Sequence, residues 1–263
     1  MGSNPDPEAA PQPGFLPYWQ VNVPPSERQT DCPAPLRNLS AKDRRLIGLP
    51  DEEYRVQSWA EVVDIVRTGR LADFRRWPTE LRRYREFIWR LNNANHGGGV
   101  MAHILCNRLQ WTEADLATAA AAVASKNHDR STLFACDDDY KILWNDWPYG
   151  IDRRIVHLVV WTKFELEDDA QTEDEIERFV QKTFSSLVAE DKLIWFKNPP
   201  SLKSIHTVEH IHVMLFDPDP EAIDRLTDGD RPHGQLLLDP IGYRQHGRAK
   251  NANLDSTTTR ALM

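Results

Sequence analysis

The chain has 263 residues, of which 27% are charged, and its formal net charge of −8 argues weakly against a generic nucleic-acid binder. The length suits one large domain or two small ones, and three widely spaced cysteines predict reduced thiols rather than a disulfide framework or a zinc cluster. No apolar run is long enough for a membrane span or a secretory signal, so the sequence predicts a cytoplasmic protein with no membrane partner.

Residues 1–36 are rich in Pro, Gln, Asn and Ser, which predicts an extended or disordered arm. Within this arm, Tyr18 and Trp19 belong to a short apolar island. The island either docks on the folded body or forms a lid over a pocket, and the sequence leaves both interpretations open.

Residues 37–130 have the apolar periodicity of helices and are predicted to form an Arg-rich helical subdomain. Ser40 and Ser58 each precede an apolar stripe, which makes them candidate N-caps. The pattern predicts further helices over 71–77, 79–93, 100–109 and 112–124. Pro78 is expected to end the first of these.

The period changes after residue 130, and residues 131–240 are predicted to form an α+β subdomain. The pattern predicts strands over 140–144, 155–164, 193–196 and 210–216, and helices over 172–188 and 221–227. Residues 241–263 are polar and are predicted to be a C-terminal tail. The fold class is therefore α+β, with the helical half packed on a small sheet.

Three histidines lie on two of the predicted strands. Alternate residues of a strand share a face, so His210 and His212 point the same way. His157 and Lys163 join that face if the two strands pair. Imidazoles clustered with a lysine in a partly buried cleft suit acid–base catalysis. A metal site with three histidine ligands is the competing interpretation, and satisfied core histidines are the purely structural one.

A second constellation is the run of arginines in the helical subdomain, which is interleaved with aromatic residues. Arginines on one helix face would bind nucleic-acid phosphates in an otherwise acidic protein. The alternative is a solvated face with i,i+4 ion pairs such as Arg82–Glu86. The candidate phosphate-binding residues are Arg75, Arg76, Arg82, Arg83 and Arg85.

Four segments together resemble a fungal family that contains the N-acetylglucosamine-induced proteins. The segments are Asn145-Asp-Trp-Pro-Tyr-Gly150, Ile155-Val-His-Leu-Val-Val-Trp-Thr-Lys163, Lys197-Asn-Pro-Pro-Ser-Leu-Lys-Ser204 and Glu209-His-Ile-His-Val213. The resemblance covers about residues 37–220. Members of this family are associated with arginine-containing cyclodipeptide synthases, which draw aminoacyl groups from arginyl-tRNA.

The resemblance implies a tRNA-dependent cyclodipeptide synthase with no cofactor and no metal. Its partners would be arginyl-tRNA and a second aminoacyl-tRNA or amino acid. His212 would act as general base or covalent acceptor, assisted by His210 and His157, and Lys163 would stabilise negative charge. The five arginines would bind the tRNA acceptor stem, and Asp146 or Glu209 would hold the arginyl guanidinium. The implied substrate-binding residues are Asn145, Asp146, Trp147, Tyr149, Asn198, Ser204 and Glu209.

A weaker resemblance is to the histidine-triad nucleotide-binding fold, which implies a small antiparallel sheet with a histidine-lined cleft. His210 and His212 would match the first two histidines of the triad, and Asn198 and Ser204 its upstream pair. Met214 stands where the third histidine belongs. A histidine-triad-like nucleotide transferase or hydrolase therefore remains an alternative, as does a non-catalytic nutrient-response regulatory protein.

Overall fold

The computed structural model describes residues 16–93, 98–125, 133–203 and 208–232. A four-stranded antiparallel sheet lies between a long helix on one face and the N-terminal helical half on the other, so the predicted α+β class is confirmed. The predicted C-terminal tail, Ser204 and the expected boundary near residue 130 lie outside the described residues. Within those residues, no helix has the length and apolar character needed to span a membrane.

The sheet contains β1 (Tyr140–Trp144), β2 (Ile155–Thr162), β3 (Leu193–Phe196) and β4 (Glu209–Phe216), in the spatial order β1-β2-β4-β3. All three pairings are antiparallel. Every residue of β2 is buried, as its continuous apolar run predicts for a central strand covered on both faces. The predicted strands are confirmed, although β2 ends at Thr162 rather than at residue 164.

The helices are α1 (Ala41–Ile47), α2 (Trp59–Arg67), α3 (Pro78–Asn93), α4 (Gly99–Ala102), α5 (Glu113–Ser125), α6 (Ala170–Phe184) and α7 (Pro220–Leu226). The predicted caps are confirmed. Ser40 accepts the backbone N–H of Asp43 at 3.1 Å, and Ser58 forms a reciprocal capping box with Glu61. Helix α6 begins before the predicted Thr172, because Asp169 caps it by accepting the Thr172 N–H.

One face of the sheet packs against α6. Phe179, Val180 and Phe184 of that helix lie in one apolar cluster with strand residues such as Leu158 and Ile211. This helix has apolar and charged residues on opposite sides, so burial of its apolar stripe stabilises the contact with the sheet.

The opposite face of the sheet packs against the helical half through two apolar clusters. The first consists of Ile104, Leu105, Leu109, Trp111, Leu143, Val159, Trp161 and Val208. The second consists of Val62, Ile65, Phe74, Ile151, Ile155, Phe196 and Met214. The helical half therefore covers this face at two places rather than as one continuous layer.

The helix predicted over 71–77 is wrong. Only one 3-10 turn forms, at Leu71–Asp73, and Phe74 has an extended backbone that places its side chain in the second apolar cluster. Pro78 begins α3 instead of ending a helix, because its fixed φ and missing N–H suit the first turn. The core contact of Phe74 thus overrides the local helical pattern.

The helix predicted over 100–109 forms in two parts. After α4, the backbone widens into a π-helix at His103–Leu109, and Gln110 ends it in the left-handed conformation. Trp111 donates its N–H to the carbonyl of Leu105, six residues earlier. Leu105, Leu109 and Trp111 consequently all contribute to the first apolar cluster.

In the arm, the apolar island docks on the folded body. The Tyr18 hydroxyl donates to the carbonyl of Leu36 at 2.6 Å. Tyr18 and Trp19 pack against a cluster that includes Leu36 and Ile47. The docked arrangement is therefore the one that the structure describes.

Candidate functional site

The three histidines lie on the sheet face that meets the helical half. His157 on β2 stands opposite Met214 on β4, and Trp161 stands opposite His210. Directly opposed residues share a face, so His157, His210 and His212 point the same way, as predicted. All three are buried, with no more than 6% of each exposed. They occupy the strip between the two apolar clusters.

Two of the histidines form a hydrogen-bonded chain with an asparagine. His157 Nε2 lies 3.0 Å from His212 Nδ1, and His212 Nε2 lies 3.0 Å from the side-chain Nδ2 of Asn198. An amide nitrogen only donates, so His212 accepts at Nε2 and donates from Nδ1 to His157. The amide nitrogen of Asn145 lies within 3.3 Å of the His157 ring nitrogens.

Burial keeps these imidazoles neutral. It lowers the pKa of His157 from 6.5 to about 3, with a smaller contribution from the positive charge of Arg76. Burial also lowers the pKa of His212 well below its ordinary value, and His157, His210 and Arg76 add to the effect. At physiological pH both imidazoles are therefore uncharged, and each keeps one ring nitrogen with a lone pair.

The third imidazole comes from a neighbouring strand. Met214 follows His212 by two residues on β4, and its opposite residue on β2 is His157. His210 is anchored separately, because its Nδ1 donates to the carbonyl of Val208 at 3.1 Å. Because Nδ1 carries the proton, the free lone pair of the His210 ring is on Nε2. Three histidines thus share one site although β4 supplies only two.

A groove adjoins the histidine chain. Its volume is about 770 Å³, and Asn198, Tyr149 and Arg76 line it. Asn198 both lines the groove and bonds His212 Nε2, so its amide lies between that nitrogen and the groove. Tyr149 is hydrogen-bonded to Asn198, and burial raises the pKa of its hydroxyl. A ligand in the groove meets this Asn–Tyr layer before the imidazoles.

The walls of the groove are basic. Its cationic lining residues are Lys42, Arg75, Arg76, Arg85 and Lys203. Among its described lining residues, Asp43 is the one carboxylate, and it pairs with Arg85. Cationic walls favour an anionic ligand in a protein whose net charge is negative.

Lys163 is not part of the histidine site. It follows the end of β2, and its Nζ lies 5.3 Å from the centre of the Trp111 ring. Within the described residues it makes no bond to any of the three histidines. Trp111 packs with Trp161 in the first apolar cluster, so Lys163 lies at the far end of the histidine face rather than among the imidazoles.

The two acidic residues implied for guanidinium binding already hold cations of this chain. Asp146 accepts from Arg108 Nε at 2.9 Å, and Glu209 accepts from Lys203 at 2.6 Å. Neither carboxylate is available to a substrate in this arrangement.

The loop between β1 and β2 has a structural role as well as a position near the site. Asn145 Oδ1 accepts the N–H of Trp147 at 3.0 Å, which closes an Asx turn. Trp147 packs against Tyr84 and Phe87 of α3. Tyr149 continues toward the site and lies 5.3 Å from His157, ring centre to ring centre.

The five candidate arginines do not form one exposed row. Arg82 donates to backbone carbonyls of the arm, Arg83 pairs with Glu80, and Arg85 pairs with Asp43. Arg75 is exposed, whereas Arg76 points into the groove. The expected acceptor-stem surface on α3 is therefore largely occupied by contacts within the chain.

Phe196 is a site residue that the sequence did not single out. Its ring stacks on His212 with centres 4.9 Å apart, and it also packs against Phe74. Phe196 stands opposite His212 in the β3–β4 pairing. Strand alternation would have placed it on the histidine face if the pairing had been known. In the described ranges, no group of three or more His, Cys, Asp or Glu side chains is arranged to hold a metal ion.

Comparison with known proteins reveals fungal relatives. The chain is 27% identical to N-acetylglucosamine-induced protein 1 of Candida albicans over 188 residues, which cover 65% of this chain and 73% of that protein. It is 30% identical to the uncharacterized protein YPL067C of Saccharomyces cerevisiae, over 64% of this chain and 82% of that protein.

A solved structure described as the crystal structure of HTC1 is also similar. Its sequence is 24% identical and its TM-score is 0.48, with coverage of 65% of this chain and 94% of that chain. The model of the DUF3605 family, whose description is "protein of unknown function", matches residues 58–216, well over half of the chain. The chain belongs to the DUF3605 family.

Proposed function

We propose that this chain is an aminoacyl-tRNA-dependent transferase that uses arginyl-tRNA to form an arginine-containing cyclodipeptide. The observation that supports the proposal is the neutral His157–His212 pair behind Asn198, at a groove with basic walls. Neutral imidazoles accept protons, and cationic walls bind phosphates, so the site provides both properties that this reaction needs.

The reaction consists of two aminolysis steps. The amino nitrogen of one aminoacyl group attacks the ester carbon of the other, so a C–N bond forms and the C–O bond to the tRNA ribose breaks. The proton of the amine passes to His212 and then to the departing ribose hydroxyl. The free amine of the dipeptidyl ester repeats the attack within the molecule and closes the ring. No ATP is required, because the ester is already activated.

Asn198 controls access to the base. Its amide donates to His212 Nε2, the nitrogen that must receive the proton. The incoming amine therefore displaces the amide, which is then free to bond the substrate carbonyl. His157 holds the tautomer of His212 from the other side of the ring. The groove volume of about 770 Å³ falls within the range of small-molecule sites.

The direct test incubates the purified protein with arginyl-tRNA and each second aminoacyl-tRNA, because closure of the ring consumes the second ester. Mass spectrometry should detect an arginine-containing diketopiperazine. His212→Ala should reduce its formation by about 100-fold or more, as expected for loss of a general base. The control Asp174→Ala, at an exposed position of α6, should retain full activity. Failure to form product with any partner would contradict the proposal.

A histidine-triad-like nucleotide hydrolase is the second candidate. The observation that favours it is the anchored His210, whose Nδ1 donates to the Val208 carbonyl and whose ring lies beside His212, the residue that would match the attacking middle histidine of the triad. The same preparations should then release nucleoside monophosphate from a dinucleoside polyphosphate. Loss of that release in His210→Ala, without cyclodipeptide formation by the wild type, would favour the hydrolase.

A further inference from the structure

Arg76 is a half-buried cation that lines the groove. Its Nε donates to the carbonyl of Trp147 at 3.1 Å. Its guanidinium carbon lies 4.3 Å from the Tyr84 ring centre and 5.6 Å from that of Tyr149. Across the described ranges, no carboxylate pairs with Arg76. Within the same ranges, the two terminal nitrogens of the guanidinium make no hydrogen bond.

Other arginines of the same stretch are neutralised. Arg83 pairs with Glu80, Arg85 with Asp43, and Arg70 with two aspartates. Removing a charge from water without a counter-ion is unfavourable, so an unpaired arginine in a groove suggests an anionic ligand. Arg76 also lies close enough to the imidazoles to lower the pKa values of His157 and His212.

We propose that Arg76 is the anion-binding residue of the groove and that its ligand is the phosphate group of a nucleotide. The Trp147 carbonyl and the two tyrosine rings fix the plane of the guanidinium. A fixed guanidinium edge can donate two parallel hydrogen bonds to phosphate oxygens. Lys42 and Arg75 on the same walls add positive charge.

The assignment also orients the ligand. The charge of Arg76 repels the guanidinium of an arginyl group and attracts the nucleotide part of the same molecule. Asn198 lines the groove with Arg76, so the nucleotide lies beside the amide that covers His212. That this nucleotide is the 3′-terminal adenosine of a tRNA rests on the proposed function, whereas phosphate binding by Arg76 does not.

The test titrates the full-length protein with adenosine 5′-monophosphate and with inorganic phosphate by isothermal calorimetry, at low and at raised salt. Arg76→Gln should weaken nucleotide binding by about tenfold or more, since it removes a charge-assisted bidentate contact. Arg76→Lys should give an intermediate loss, because it keeps the charge but not the planar fork. The control Arg225→Gln removes an exposed arginine on α7 and should leave binding unchanged.

Unchanged nucleotide binding in a folded Arg76→Gln variant would overturn the inference, as would no binding by the wild type at millimolar nucleotide. Phosphate binding as tight as nucleotide binding would overturn the nucleotide assignment. If Arg76→Gln does not fold, a salt-independent affinity in the wild type would contradict an ionic contact.

Arg76-dependent nucleotide binding without cyclodipeptide formation would reject only the proposed function. Cyclodipeptide formation by Arg76→Gln at the rate of the wild type would reject only the inference.

Discussion

At the scale of single residues, burial determines the chemistry of the site. His157 and His212 are ordinary imidazoles whose basicity is set by the apolar clusters around them and by Arg76. Their hydrogen bonds to each other and to Asn198 compensate for part of the loss of water. The site therefore contains neutral imidazoles in a region where the protonated, charged form is unfavourable.

The neutral histidines predict acid sensitivity. The pKa of His157 is about 3 in the folded chain and 6.5 in the unfolded chain, so the unfolded chain binds one more proton between these values. This contribution to stability is complete above pH 6.5 and decreases as the pH falls toward 3. The expected slope is about 1.4 kcal/mol per pH unit for each such proton.

Urea unfolding between pH 7.5 and 5 measures this slope. His157→Gln removes one titrating group and keeps a side chain that can bond His212, so its stability should depend less on pH than that of the wild type. The range above pH 5 limits the contribution of carboxylates, whose ordinary pKa values are lower. Equal slopes in the two proteins would contradict a neutral, buried His157.

At the scale of elements, the β1–β2 loop joins the helical half to the sheet. Gly150 donates its N–H to the carbonyl of Arg75 at 2.7 Å, and its own carbonyl accepts from the Tyr54 hydroxyl and from the Gln57 N–H. Gln57 also forms an isolated parallel bridge with Ile151. This contact fixes the segment before α3, and with it Arg76, relative to the histidines.

Gly150→Ala should destabilise this contact. A β-carbon at Gly150 would lie 2.3 Å from the Tyr54 hydroxyl oxygen, so Tyr54 has to move and lose its bonds. The expected loss is about 1–3 kcal/mol in the free energy of unfolding, measured by urea denaturation. The cost should be smaller in a Tyr54→Leu background, which lacks that oxygen and also the ring carbons Cζ and Cε1, at 2.6 and 2.7 Å from the added β-carbon. A cost equal in both backgrounds would argue against the clash.

At the scale of the whole molecule, a partly buried ion cluster connects distant parts of the chain. Arg108 of the π-helix donates to both carboxylate oxygens of Asp230 and to Asp146 in the β1–β2 loop. Asp230 also accepts the N–H of Trp144 at the end of β1. The segment after α7 is thereby held against the sheet and the helical half together.

Arg108→Met should reduce the free energy of unfolding by about 2–3 kcal/mol, because it removes the cation that two partly buried carboxylates share. Thermal or urea unfolding measures the loss. Adding Asp230→Asn to Arg108→Met should recover part of it, since one uncompensated charge is removed. A loss no larger than that of an exposed ion pair, about 1 kcal/mol or less, would contradict a structural role.

Local chemistry determined much of the fold from the sequence. The caps at Ser40 and Ser58 and the bounds of β1 and β3 depend on neighbouring residues and on strand alternation, so the sequence predicted them. The segment before Pro78 was wrongly predicted to be helical, because the burial of Phe74 against the sheet outweighs the local helical pattern.

The sequence by itself determined that His210 and His212 share a face, because a strand has a period of two. Only the tertiary structure decided their partners. Asn198 and His157 reach His212 through the pairing of three strands, and Arg76 reaches the groove through the β1–β2 loop. Ion pairs between distant residues decided which charges remain available: Arg108 holds Asp146, Lys203 holds Glu209, and Arg85 holds Asp43. Such pairs depend on spatial proximity, which no local pattern in the sequence encodes.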